Sequence, residues 1–227
     1  MTEFALALIA FLAAHLIPAS PALRARLIAA MGRGAYLAVY SVLSIGLLAW
    51  LVVAAARADT IPLWNPAPWQ WWLPLVAMPL AIFFLVAGLL APNPLSISFR
   101  SGSEPGAIVG ITRHPVLWGF LIWAMAHIPP NGDLVSLILF GGMAAFSLLG
   151  FILLDVKARR RLGRERWSRL SGATSVVPFA ASASGRGRLR TDRSLVLAGL
   201  AATALYLWFL LYGHRLLIGR DPLALIG

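Results

Sequence analysis

Cysteine is absent from this chain, and charged residues are scarce. Of the 227 residues, 12% are charged and 60% are hydrophobic, whereas a soluble domain carries about a quarter charged residues. Without cysteine, the chain has no disulfides, thiolate metal ligands, covalently attached haem or cysteine nucleophile. Its 8 acidic residues are too few and too scattered to build a carboxylate-bridged metal site. The composition therefore predicts an integral membrane protein without a separate soluble domain.

Several common catalytic motifs are missing as well. The chain has no GxSxG segment around a serine nucleophile and no glycine-rich phosphate loop. The segment from Met1 to Phe11 lacks a basic stretch and includes Glu3, so we expect no secretory signal peptide. What the chain does contain is a series of long apolar runs.

Six apolar segments predict the fold. They cover residues 3–19, 35–56, 73–91, 114–129, 133–155 and 194–214. A helix needs about 20 apolar residues to cross a bilayer, so the first and fourth segments are short. Short spans are often tilted, broken or lining a cavity. The sequence predicts an all-α fold, a polytopic transmembrane helix bundle of about six helices, with four or five as the alternative, forming one domain over residues 1–227.

The basic residues are distributed unevenly between the loops. If the amino terminus lies outside, the inward loops are 20–34, 92–113 and 156–193, which hold 3, 2 and 11 of the 19 lysines and arginines. Cytoplasmic loops of membrane proteins carry an excess of such residues. The distribution therefore predicts that both termini face outward.

The inward loop 156–193 concentrates the charge of a chain whose net charge is +11. Basic segments next to a membrane helix attract anionic lipid headgroups. No nucleic-acid-binding module accompanies this charge. We therefore expect the lipid bilayer and its anionic headgroups as partners, and no nucleic acid.

Four histidines lie near the ends of predicted helices, at His15, His114, His127 and His214. Ionisable groups inside a membrane are costly and mark functional sites, although a single histidine often only joins two helices. The predicted depths place His15 with His114 near the inner face, and His127 with His214 further out. His127 is about 20 Å along the helix from His114 and about 220° around its axis, so a straight helix cannot bring both to one ion.

The chemistry of these histidines suggests a metal cofactor. Neutral imidazole binds zinc, copper or iron. A hydrophobic site with aromatic walls and no carboxylate cluster suits haem b better than a hydrolytic zinc ion. Axial histidines could hold the iron, while Arg113, Arg24 and Arg26 on the inner side could hold the propionates.

Several motifs resemble the NnrU family of bacterial membrane proteins. In chain order they are HLIPASPALRARL, ITRHP with WGFLIWAMAH, PNGD, LGRERWSRL, TSVVPFAA and HRLLIGRDPL, which together extend over nearly the whole chain. The resemblance implies a bacterial inner-membrane (cytoplasmic-membrane) protein associated with denitrification and nitric oxide metabolism. The family is also similar to the plant 15-cis-zeta-carotene isomerases, haem b-dependent membrane enzymes with two histidine ligands.

If the ligand positions of the plant enzymes are transferred to the matching motifs of this chain, the ligands of the haem iron would be His15 and His127, with His114 as a neighbouring or substitute ligand. This pairing differs from the pairing by depth, and a fourth helix that begins deeper or re-enters the membrane would reconcile the two. The resemblance implies a haem-dependent isomerase acting on an apolar small molecule. The alternative within it is a non-catalytic haem sensor or assembly factor. Cysteine ligation, which the plant enzymes can use, is impossible here.

A second resemblance leads to a different chemistry. RHPVLWG, LDVKARRRLGRERWSRL and the following VPF are similar to segments of the isoprenylcysteine and phospholipid methyltransferases, which bind S-adenosylmethionine. Those enzymes usually carry paired glutamates where this chain has Asp155 followed by Lys157. The departure makes an S-adenosylmethionine-dependent methyltransferase the weaker interpretation.

Overall fold

The computed structural model of the protein describes residues 1–16 and 21–224. This part of the chain consists of helices joined by turns and irregular segments, with an isolated bridge between Pro62 and Asp133. It divides into two compact units, residues 1–63 with 133–139, and residues 64–132 with 140–227. The predicted all-α fold is confirmed.

Eleven α-helices can be numbered within the described residues. They are α1 (Thr2–Leu16), α2 (Pro21–Met31), α3 (Arg33–Arg57), α4 (Trp72–Leu90), α5 (Ile108–Ile111), α6 (Pro115–Asn131), α7 (Leu134–Leu162), α8 (Arg164–Gly172), α9 (Ala180–Ala183), α10 (Arg193–Trp208) and α11 (His214–Ile218). A 3₁₀ turn at Pro68–Trp71 leads into α4, and a π-helical turn at Phe209–Gly213 joins α10 to α11.

Four helical segments among the described residues are long and apolar enough to cross a bilayer. They are Arg33–Arg57, Pro68–Leu90, Leu134–Leu162 and Arg193–Ile218. These match the second, third, fifth and sixth predicted segments. The first segment forms α1, and its predicted end at 17–19 lies outside the described residues. The fourth forms α6, a helix of 17 residues, so length and composition support four of the six predicted spans.

All three connections predicted as inward loops contain helices, and the loop 92–113 includes the short α5. The inward loop 20–34 includes α2. In the basic loop 156–193, α7 continues to Leu162 and is followed by α8 and α9. The prediction missed these helices because they are too short to carry a long apolar run.

In the first unit, α1 and α2 pack on α3. Small and large apolar side chains are buried at this contact: Phe4, Ala7, Leu51 and Ala54. The strand-like segment after α3 meets the start of α7, where the Leu134 amide donates to the Ile61 carbonyl at 2.9 Å. This unit carries His15 on the last turn of α1.

The second unit is built around α4 and α6, which pack along each other, and α10 also packs against α4. Its buried core comprises Phe84, Ala87, Ala91, Leu95, Ile108, Val109, Leu170 and Ala198. Asp192 caps α10 by accepting the Leu195 amide at 2.7 Å, and its other oxygen accepts the Ala107 amide at 2.9 Å. Both ends of α6, which carry His114 and His127, belong to this unit.

Glycine allows α4 and α6 to approach closely. A Cβ atom added at Gly119 would lie 2.6 Å from the Leu85 Cγ and 2.7 Å from the Ala81 carbonyl oxygen. One added at Gly88 would lie 2.8 Å from both Pro115 and Val116. Small residues at helix contacts are typical of membrane bundles, where packing replaces the hydrophobic effect between helices.

We expect Gly119→Ala to destabilise the protein by about 1–3 kcal/mol, because the new methyl group would overlap the backbone of α4. Unfolding in detergent, followed by circular dichroism, would measure the loss. The matched control is Gly141→Ala in α7, where an added Cβ meets nothing within 4 Å. Alanine at that position should be neutral or slightly stabilising. Equal stability of the two variants would contradict the close packing of α4 and α6.

Candidate functional site

The site at the amino-terminal end of α6 is formed by the motif Thr112–Arg113–His114. Thr112 ends α5 in an extended conformation, and Pro115 begins α6, where its missing N–H costs nothing. The chain therefore turns sharply at these three residues. Thr112 and His114 are fully buried.

His114 uses both ring nitrogens in hydrogen bonds. Its Nε2 lies 2.8 Å from the Oδ1 of Asp155 on α7, and its Nδ1 lies 2.8 Å from the Oγ of Ser96. A carboxylate only accepts, so Nε2 carries a proton, and in the neutral ring Nδ1 accepts the serine hydroxyl. The ring also contacts Phe151, with centroids 5.8 Å apart. Neither nitrogen is left to bind a metal.

Arg113 shares the carboxylate with His114. Its Nε lies 3.4 Å from the Asp155 Oδ1, and its guanidinium carbon lies 5.7 Å from the centre of the Trp167 ring on α8. Burial lowers the pKa of Arg113, the negative charge of Asp155 opposes that shift, and Arg186 adds to it. The guanidinium nevertheless stays charged, as arginine does in proteins. Asp155 thus balances a buried imidazole and a cation at once.

A second chain segment, residues 174–179, closes over this turn. The Arg113 amide donates to the Ser175 carbonyl at 2.9 Å. The Val176 carbonyl accepts both the Thr112 hydroxyl and the Trp118 indole N–H, each at 2.7 Å. These bonds fix the TSVVPFAA motif against the ITRHP motif.

The irregular segment after α4 covers the site from another direction. Asn93 donates to the Arg113 carbonyl at 3.0 Å and accepts the Leu95 amide at 3.0 Å, which places Ser96 over His114. Arg166 on α8 donates to the Ser103 carbonyl at 3.0 Å. The network around His114 is therefore enclosed by four chain segments.

His127 lies at the other end of α6 in a different environment. Its Nδ1 is 2.7 Å from the Trp123 carbonyl, one turn earlier in the helix. A carbonyl only accepts, so Nδ1 carries the proton and Nε2 presents a lone pair. The ring lies between Phe140, with centroids 5.1 Å apart, and Trp123, with centroids 5.8 Å apart. The side chain is partly buried.

The turn after His127 is fixed from outside the helix. The Trp64 indole donates to the Pro129 carbonyl at 2.9 Å, and the Trp64 amide donates to the Gly132 carbonyl at 3.1 Å. Gly132 has φ 67°, a conformation that favours glycine. These bonds hold the end of α6 that carries His127.

His15, in the first unit, repeats the arrangement of His127. Its Nδ1 is 2.7 Å from the Phe11 carbonyl, again one helical turn earlier. Its ring lies 4.3 Å from the Phe11 ring centre and 5.9 Å from that of Tyr40. Nε2 of His15 is therefore also the nitrogen with the lone pair.

The remaining sequence-predicted residues lie elsewhere. His214 begins α11, and its Nδ1 is 2.8 Å from the Arg220 carbonyl in an exposed hydrogen bond. Arg24 and Arg26 lie on α2 in the first unit, whereas Arg113 is in the second. Sequence reasoning missed Asp155 and Ser96 as partners of His114, since they are 41 and 18 residues away in the chain. The available signals were that Asp155 interrupts an otherwise apolar run and that it lies in a motif resembling the methyltransferases.

Comparison with known proteins places the chain among relatives of plant enzymes. Over 85 residues it is 38% identical to the chloroplastic 15-cis-zeta-carotene isomerase of Zea mays, and 36% identical to that of Arabidopsis thaliana. Each match covers 37% of this chain and 23% of the plant protein, so the chain spans less than a quarter of these relatives' length. No solved structure matches.

A family model described as "NnrU protein" matches residues 3–222. The match includes the histidine of α1, both ends of α6 and the segment that closes over ITRHP. It therefore extends over both compact units. The chain belongs to the NnrU family.

Proposed function

We propose that this membrane protein binds haem b through the Nε2 atoms of His15 and His127, and that it isomerises an apolar substrate. The main support is the bond that each ring makes from Nδ1 to a carbonyl one turn earlier. In metal sites, such a bond orients the imidazole and raises the basicity of the other nitrogen. His114 lacks this feature, because both of its nitrogens are engaged.

The surroundings of the two rings fit haem. Phe11 and Tyr40 flank His15, and Trp123 and Phe140 flank His127. Aromatic side chains of this kind pack against a flat macrocycle and exclude water from it. Bound haem would supply an iron centre able to exchange one electron. The chain's own contribution is to hold that iron, orient both imidazoles and keep the surroundings apolar.

The proposed substrate class follows from the relatives and from the membrane. The two plant relatives are named for isomerising 15-cis-zeta-carotene. An apolar polyene dissolves in the bilayer and would reach a helix bundle laterally. Since the match covers less than a quarter of those enzymes, the substrate proposed here is an apolar small molecule and not that carotene itself.

A non-catalytic role with the same cofactor is the alternative within this proposal. Family resemblance connects the chain to denitrification and nitric oxide metabolism, in which a haem sensor or assembly factor would bind nitric oxide without turnover. The proposed location is the bacterial inner membrane, with both termini outward and the basic segment 156–193 at the anionic inner leaflet. The distribution of the 19 basic residues supports this orientation.

A second candidate is S-adenosylmethionine-dependent methyl transfer. It is favoured by the meeting of Arg113 and His114 with Asp155, because these residues come from the two motifs that resemble methyltransferases. Against it, the carboxylate is already engaged by both basic side chains. Calorimetric titration with S-adenosylmethionine would decide this candidate, since a methyltransferase must bind it without any chromophore.

The test of the main proposal is a visible spectrum of the protein purified from membranes of haem-sufficient cells, oxidised and then reduced. We expect a stoichiometric Soret band that sharpens and shifts on reduction, which would identify a haem protein. Nitric oxide binding without isomerisation of a polyene would support the sensor. A spectrum without a Soret band would refute the haem proposal altogether.

A further inference from the structure

The connection between α7 and α10 exposes three apolar side chains in a basic setting. Val177, Phe179 and Leu189, here called the exposed tip, have 59%, 50% and 55% of their surface accessible. Arg186, Arg188 and Arg190 of the same connection are also exposed, and Leu189 lies between two of them in the chain. Both flanking helices are long and apolar enough to cross a bilayer. The connection therefore lies at one face of the membrane.

The backbone of the connection that carries the exposed tip is fixed against α5. The Phe179 amide donates to the Ile111 carbonyl at 2.8 Å. A Cβ added at the adjacent Gly110 would lie 3.0 Å from the Arg188 carbonyl oxygen. Phe179 and Arg188 thus lie against two successive residues of α5, which brings both halves of the connection together.

Hydrogen bonds within the connection stiffen it further. The Ser175 hydroxyl oxygen accepts the Ala181 amide at 3.1 Å, and the Ala181 carbonyl accepts the amides of Arg186 and Gly187 at 2.9 and 3.0 Å. The segment SASGRGRLRTDR is rich in glycine, serine and arginine, a composition typical of flexible linkers, yet these hydrogen bonds hold its first half in place. The exposed side chains are therefore presented by a rigid support.

Phe179 adopts an unusual conformation to present its ring. Its φ is 65°, and it is the non-glycine residue with positive φ among those described. This left-handed conformation is strained for a residue with a Cβ, and such strain persists only where the surroundings impose it. An aromatic side chain kept half exposed by a strained backbone indicates a role for the ring outside the protein.

We propose that the exposed tip is an interfacial anchor, in which Val177, Phe179 and Leu189 enter the anionic leaflet of the membrane that the protein spans. Aromatic and aliphatic side chains enter the boundary between headgroups and acyl chains, while neighbouring basic residues bind anionic headgroups. The charge of the three exposed arginines in the same connection selects this occupant over a zwitterionic surface. The anchor does not depend on a bound haem.

The absence of cysteine allows a direct test with the full chain. Val177→Cys would carry a nitroxide, and the protein would be placed in nanodiscs of phosphatidylcholine with or without phosphatidylglycerol. Electron paramagnetic resonance would compare collisions with oxygen, which is enriched in lipid, and with a nickel chelate, which is enriched in water. We expect oxygen to dominate at this position, and more strongly with phosphatidylglycerol. Ser168→Cys, exposed on the polar helix α8, is the matched control, at which nickel should dominate.

Two variants separate the anchor from the fold. Replacing Arg186, Arg188 and Arg190 together by Gln should abolish the effect of phosphatidylglycerol on the label. Phe179→Gly should leave thermal stability unchanged or raised, because glycine accepts φ 65° freely, while reducing oxygen contact at position 177. Nickel dominance at position 177 in both lipids would overturn the proposal. So would spin–spin broadening that reveals a second copy of the chain covering the tip.

Discussion

His15→Ala and His127→Ala should each lower the haem content of the purified protein by about tenfold or more, and the double variant should contain none. Loss of a residue that only supports a metal ligand costs about 10–100-fold in affinity, so loss of the ligand itself should cost at least as much. The reason lies in the Nδ1–H bonds to Phe11 and Trp123, which leave both Nε2 atoms as the available lone pairs. Pyridine haemochrome absorbance relative to protein would give the occupancy.

Exogenous imidazole provides the internal check on this result. It should restore a bis-imidazole spectrum to either single variant, because the alanine leaves room for the missing ring. His214→Ala is the matched control, since its ring is bonded in an exposed position to the Arg220 carbonyl at 2.8 Å. Full haem retention by the double variant would end the assignment of these two ligands.

His114→Ala should lower the free energy of unfolding by about 2–4 kcal/mol. This substitution does not remove either of the proposed haem ligands. The substitution removes a fully buried ring, its contact with Phe151 and two hydrogen bonds. It also leaves Asp155 facing Arg113 alone. Denaturant titration in detergent would measure the loss, and the haem-free form can be used, so that the result does not depend on the cofactor.

A conservative substitution of Asp155 separates the contribution of its charge from that of its hydrogen bond with His114. Asp155→Asn keeps an oxygen that can accept the His114 Nε2–H but removes the charge opposite Arg113. We expect a loss of about 1–2 kcal/mol, smaller than that of His114→Ala, because Asp155 keeps 24% of its side chain exposed and water screens the lost charge. A His114→Ala variant as stable as the parent would show that the network around ITRHP does not support the fold.

The sequence was a good guide to the long helices because each carries its own apolar signal. The predicted segment 35–56 became Arg33–Arg57, and 73–91 became the helix ending at Leu90. Hydropathy works here because a membrane helix satisfies its backbone within the segment. Connections such as 156–193 were harder, since α8 is short and mostly polar, and its Leu170 and Trp167 pack on residues distant in the chain.

The candidate site was predicted only in part for the same reason. The motif ITRHP identified His114 and Arg113, but their common partner Asp155 comes from another helix. Nothing in the chain around Asp155 indicates which basic side chain it meets. The roles of His15 and His127 came from family resemblance and remain predictions, although the tautomer that each backbone bond fixes could be seen only in the structure.

The shortness of α6 has a consequence for how the protein is made. Its 17 residues include Pro129 and Pro130, so on its own it is a weak signal for membrane insertion. The longer α4 precedes α6 in the chain and is synthesised first. Gly88 of α4 and Gly119 of α6 allow the two helices to pack closely together. We therefore expect the position of α6 in the bilayer to depend on its packing against α4. The positions of His114 and His127 would then depend on that packing as well.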